Sequence, residues 1–171
     1  TNRAMRPLVF CAWMVHNIPM PDKSPRPTIR EVLATTAPEL QPRRIVCDED
    51  RDLGRLEAEL FLATIFKKDR AWLRIHDDSI LTAARSKAFA KMVARRKKHE
   101  PVAYILGYRD FWTIRLAVSP GMLIPRPDSE TLIEAAVDHF RDSGPERVLD
   151  LGVGPGTLLL AVLAEWPEAH G

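Results

Sequence analysis

Apolar residues recur mostly at helical spacing along this chain, and the pattern changes once, near Pro101. Thr28-Ile29-Arg30-Glu31 forms a capping box, in which the Thr28 hydroxyl and the Glu31 carboxylate each satisfy an orphan amide of a first helical turn. It predicts a short helix to about Ala37, ending before Pro38. Leu53, Leu56, Leu60, Phe61 and Thr64 form one apolar stripe and leave Arg55, Glu57 and Glu59 outside it, which predicts a second amphipathic helix. A third is predicted from about Ser79, with Ile80, Leu81, Ala84, Ala88 and Met92 on one side and the basic run Arg95-Arg96-Lys97-Lys98 at its end. Short amphipathic helices in series predict a small bundle.

Beyond Pro101 the β-formers take over. Phe111, Trp112, Ile114, Leu116 and Val118 predict one strand, Ser119-Pro120-Gly121 a turn, and Met122-Leu123-Ile124 a second short strand, together a β-hairpin. Asp128, after Pro125-Arg126-Pro127, is placed to cap a helix whose apolar face is Leu132, Ile133, Ala136, Val137 and Phe140, and Ser143-Gly144-Pro145 ends it. Arg147-Val148-Leu149-Asp150-Leu151 then predicts a strand, Gly152-Val153-Gly154-Pro155-Gly156 a loop, and residues 157–165 a helix. That order is the opening βα unit of a parallel sheet. The expected division is a proline-rich extension without regular structure (1–27), a helical domain (28–100), a hairpin linker (101–127) and the start of an α/β domain (128–171).

The 171 residues are 46% hydrophobic and 28% charged, the makeup of an ordinary globular protein. A net charge of +2 is too mild for nucleic-acid wrapping, so direct nucleic-acid binding is not expected. No apolar run approaches the roughly 20 residues needed to cross a bilayer. Residues 8–15, after Arg3 and Arg6, faintly resemble a signal core but lack a small-residue cleavage site. Cys11 and Cys47 lie far apart with neither CxxC nor histidine spacing, which argues against disulfides and zinc and points to the cytoplasm. His76 and His99 have no spaced partners, so no metal site is expected. Trp72 and Trp112 are expected to fill cores.

The glycine loop is the one candidate site. Its glycines let the backbone approach a ligand closely while the next helix points its positive end there. The G-x-G-x-G spacing differs from the G-x-G-x-x-G of dinucleotide folds. Asp150 at the strand end would repel a pyrophosphate but suits the cationic aminoacyl end of S-adenosyl-L-methionine. Equally, the glycines could serve a tight turn alone, with Asp150 as a cap. Pro155 donates no amide, and its fixed φ stiffens the turn.

The run from Glu100 to Trp112 (EPVAYILGYRDFW), the segment Leu123-Ile124-Pro125-Arg126-Pro127-Asp128-Ser129-Glu130 and the glycine loop, in that order, closely resemble the HemK/PrmC family. Thr28-Ile29-Arg30-Glu31-Val32-Leu33, Glu57-Ala58-Glu59-Leu60 and Asp69-Arg70-Ala71-Trp72-Leu73 resemble the family's N-terminal domain, so the likeness covers residues 28–171. The resemblance implies a Rossmann-like class I methyltransferase of the α/β class, cut off after its first βα unit. It implies methyl transfer from S-adenosyl-L-methionine to the side-chain amide of the GGQ glutamine of peptide chain release factors, which the helical domain helps to hold. The protein would act as a monomer. Asp150, Gly152, Val153, Gly154, Pro155 and Gly156 would line the cofactor, and Pro125, Arg126 and Pro127 would border the cleft. Val153 and Pro155 stand where the family more often has Thr and Ser or Thr. Arg126 could orient substrate or simply be a surface arginine in a rigid turn. The family's catalytic Asn-Pro-Pro-Tyr motif does not occur in this sequence and is expected beyond Gly171, so no catalytic residue is assigned. Two other readings are an enzyme of the same chemistry acting on a ribosomal protein, and an inactive release-factor-binding module.

Overall fold

The computed structural model describes residues 26–41 and 52–171. The expectations for Cys11, Cys47 and nearly all of the proline-rich head fall outside these residues. Seven α-helices and one two-stranded antiparallel sheet make up the regular structure there.

Helix α1 (Ile29–Leu40) starts with the capping box as expected, Thr28 accepting from the Glu31 amide and Glu31 accepting from that of Thr28. It runs past Pro38 rather than stopping before it. Helix α2 (Leu53–Phe66) packs against α1, and the approach is tightest at Gly54, where an added Cβ would lie 2.2 Å from the Ala37 carbonyl oxygen. The expected stripe on α2 is corrected. Leu53, Leu56 and Leu60 are only half-buried, while Glu57, Ala58, Glu59, Phe61 and Leu62 face inward. Two carboxylates can be buried there because arginines meet them: Arg96 of a later helix reaches Glu57, while Arg55, one turn earlier on α2, and Arg70 of the next helix reach Glu59.

Helix α3 (Arg70–Ile75), capped by Asp69, was not foreseen. Helix α4 (Ala83–Lys97) begins at its Thr82 cap, later than expected, and buries Phe89 and Val93, whereas Ala84 and Ala88, expected on the apolar side, face solvent. Ile80 is 58% exposed whereas Leu81 is fully buried, because the chain there is extended and bridges Thr28 instead of coiling. Helix α5 (Val102–Leu106) closes the bundle and ends at Gly107, whose φ of 82° is the left-handed stop. Ile29, Phe61, Leu62, Leu73, Leu81 and Phe89 are at the centre of this first core.

The hairpin exists, but its strands and turn differ from those expected. Strand β1 (Tyr108–Phe111) pairs with β2 (Ile114–Ala117), Phe111 opposite Ile114, and the turn is at Trp112 and Thr113. Residues 122–124 form no strand. The hairpin is no free linker: Phe111 joins Ile133 of helix α6 (Glu130–Phe140) and Ala161 of helix α7 (Thr157–Glu165) in a second core. Of the face expected on α6, Ile133 is buried and Leu132 is 60% exposed. Asp128 does not cap α6 with its side chain; it lies in a 3-10 turn (Pro127–Ser129), and its carbonyl accepts from the Thr131 hydroxyl at 2.7 Å. Helix α7 has the expected limits. Residues 147–151 form no assigned strand, only a parallel bridge between Arg147 and His170, because no neighbouring strand flanks them among the described residues. No helix among the described residues is long and apolar enough to cross a membrane.

Candidate functional site

The glycine loop is built by three residues in the left-handed region: Gly152 at φ 84°, Gly154 at 53° and Gly156 at 79°. L side chains avoid that region, so the glycines set the path of the turn. Crowding is not the reason at Gly152, where an added Cβ would meet nothing within 4 Å. The Gly156 amide donates to the Val153 carbonyl at 2.8 Å, which closes the turn across Pro155. Helix α7 starts at once, its first internal bond running from the Leu160 amide to the Gly156 carbonyl. The amides of Thr157, Leu158 and Leu159 therefore have no partner within the helix and carry its positive end.

Beside this turn is a hollow of about 330 Å³. Asp150, Gly152, Val153, Gly154 and Pro155 line one side, and Leu123, Ile124, Pro125 and Arg126 the other. The two motifs are thus brought to one place. Pro125 is buried and holds the segment down, whereas Arg126 is exposed at the rim. Gly156 and Pro127 stand outside the lining, Gly156 shaping the turn and Pro127 opening the 3-10 turn.

The structure adds residues that the motif match did not select. Thr157, Leu158 and Ser129 also line the hollow. Thr157 is 8% exposed, and its hydroxyl has no hydrogen-bond partner, which is costly for a buried polar atom. A threonine directly after the last glycine of such a loop was the available sequence signal. The first half of the chain also reaches this place: the Tyr104 hydroxyl of α5 donates to the Met122 carbonyl, just ahead of Leu123. A left-handed glycine turn, orphan amides, an orphan hydroxyl and a half-buried Asp150 thus border one hollow, which offers unpaired hydrogen-bond donors and a carboxylate.

The chain thus joins a helical bundle, through a packed hairpin, to a glycine turn beside a hollow. Residues 47–107 match the family model of the PrmC N-terminal domain, which bears out the resemblance to HemK/PrmC. The match ends at Gly107, where the bundle gives way to the hairpin. Curated relatives share the likeness. A release factor glutamine methyltransferase of Xylella fastidiosa is 43% identical over 118 residues, which cover 69% of this chain and 43% of the relative. Enzymes with the same name from Aliivibrio fischeri and Coxiella burnetii are 40% and 42% identical, over 71% and 67% of this chain and 43% and 41% of their own lengths. The matched region thus spans less than half the length of these relatives.

Proposed function

We propose that the protein takes part in S-adenosyl-L-methionine-dependent methylation of the side-chain amide of the GGQ glutamine in peptide chain release factors. The observation that carries this reading is the single hollow shared by residues 123–126 and the glycine loop. Its residues fit the donor. Asp150 would take the cationic amino group, while the free amides at the start of α7 and the Thr157 hydroxyl would take its carboxylate. When bound, the donor supplies an electrophilic methyl group on a cationic sulfur. Arg126 at the rim would orient the incoming substrate.

In this reading, residues 28–100 hold the release factor, 101–127 connect, and 128–171 open the Rossmann-like methyltransferase domain, in a cytoplasmic protein. The parallel bridge from Arg147 to His170 supports that topology: two extended segments joined through α7 run in the same direction, as in a βαβ crossover. The amide nitrogen of glutamine is a weak nucleophile because its lone pair is delocalised. Rate acceleration would therefore come from alignment and polarisation.

The test is incubation of the protein, expressed from its whole reading frame, with methyl-labelled donor and either a release factor or purified ribosomal proteins, followed by mass spectrometry of the labelled peptides, the GGQ peptide among them. Label on that glutamine is the expected result. Label on a ribosomal protein instead, or no transfer, would overturn the reading.

A further inference from the structure

The second cavity of interest lies in the helical bundle, away from the glycine loop. It is a groove of about 320 Å³ between α1, α2 and α3. Its apolar side is made by Leu33, Ala37, Pro38 and Leu73. Arginines 30, 55 and 74 also line it.

These arginines are not equally committed. Arg30 is held by Asp77 through two hydrogen bonds of 2.8 and 2.7 Å. Glu59, whose side chain is 1% exposed, is shared by three guanidinium groups: Arg55 at 3.0 Å, Arg70 at 2.7 Å and Arg74 at 3.9 Å. One carboxylate cannot neutralise three cations. Arg55 uses only Nε on Glu59, and Arg74 makes no hydrogen bond among the described residues although 64% of its side chain is exposed. The acids facing the groove are Glu59 and Asp77, with Asp78 close enough to act on Arg30. Four arginines against these three carboxylates leave an excess of one positive charge, concentrated where Arg55 and Arg74 have spare donors.

We propose that this groove is a docking site for a protein segment that presents an aspartate or glutamate next to an apolar side chain. The carboxylate would pair with the forked donors of Arg55 and Arg74. The neighbouring apolar side chain would cover Ala34, Ala37 and Pro38, the apolar lining residues that are not buried. The apolar side distinguishes this site from a phosphate track, which would need only cations and polar donors. Buried Glu59 fixes Arg55 in advance through its Nε, so on that side little side-chain freedom is lost on binding.

The test uses the protein with selectively labelled arginines and follows their Nε–Hε NMR signals. The probe is a blocked heptapeptide alternating leucine and glutamate; the controls are its leucine–glutamine counterpart and inorganic phosphate. Saturable shifts of the Arg55 and Arg74 signals with the acidic peptide, and much weaker ones with the glutamine peptide, are expected. Arg74→Gln should lower affinity about tenfold, the effect of losing a charge-assisted hydrogen bond. Lys91→Gln, outside the groove, should leave it unchanged, and Arg74→Lys should fall between. Equal response to both peptides, phosphate matching the acidic peptide, or unchanged affinity in folded Arg74→Gln would each overturn the proposal.

Discussion

The indole Nε1 of Trp112 donates to Oε1 of Glu165 at 2.8 Å, so the hairpin turn is fastened to the last turn of α7. The Trp112 backbone amide is held as well, by Glu130 of α6 at 3.1 Å. Two acids from two helices thereby keep a tryptophan in the left-handed region, at φ 52°. Removal of the indole donor leaves the Glu165 carboxylate short of a partner. Trp112→Phe is expected to lower stability by about 2 kcal/mol, from lost packing and the lost bond. In a double-mutant cycle with Glu165→Ala, which removes the acceptor, urea unfolding should give a coupling of about 1 kcal/mol. Strict additivity would show that the bond contributes nothing.

Gly54 is where the backbones of α1 and α2 meet. A Cβ there would be 2.2 Å from the Ala37 oxygen and 2.7 Å from the Gln41 nitrogen, both main-chain atoms that cannot swing away. Gly54→Ala should therefore destabilise the bundle by about 3 kcal/mol, against the gain of about 1 kcal/mol usual for Gly→Ala within a helix. Chemical denaturation of the two proteins measures the sign directly.

Burial alone would raise the Glu59 carboxyl, but hydrogen bonds from Arg55 and Arg70 and the charges of Arg70 and Arg74 outweigh it and hold it below its ordinary range. Because the folded protein releases this proton more readily than the unfolded chain, the resulting stability is present above the unfolded value of 4.5 and is lost as pH falls below it, through the lower folded one. Glu59→Gln should flatten the fall in melting temperature below that pH. At neutral pH it should cost about 3 kcal/mol, since the arginines lose their buried counter-charge. An unchanged acid limb in the variant would contradict this.

The Thr157 hydroxyl yields a prediction with opposite signs for stability and binding. Replacing a buried, unpartnered hydroxyl by a methyl of the same shape relieves a cost. Thr157→Val should be as stable as the parent or up to about 1 kcal/mol more so, yet bind S-adenosyl-L-methionine about tenfold more weakly in equilibrium dialysis. Equal loss of both properties would mean that the hydroxyl serves the fold. Asp150→Asn should weaken donor binding while leaving the melting temperature within about 1 °C, as expected for a near-isosteric change at a half-buried position with no side-chain hydrogen bond among the described residues.

Local chemistry was readable in the sequence wherever it was self-contained. The capping box at Thr28 and Glu31 and the limits of α7 needed no distant residue. Periodicity counts charge as exposure and so places Glu57 and Glu59 outside. What buries them is Arg96, 39 residues away from Glu57, and Arg70, 11 residues from Glu59. The hairpin failed for a related reason: Ser119-Pro120-Gly121 is a stronger turn signal than Trp112-Thr113, but Glu130 and Glu165 stabilise the weaker one. The glycine loop and the segment before Arg126 were found from motifs, whereas the orphan state of Thr157 exists only once the chain is folded.

Leu149 and Leu151 stand 83% and 85% exposed, at the entry to the glycine turn, with no strand paired to them among the described residues. Bare main-chain amides flanked by leucines form a template on which a second molecule can add itself, edge to edge. Concentrated samples of these 171 residues should accordingly grow in light scattering with a steep dependence on concentration. A lysine at position 149 or 151 should delay that growth.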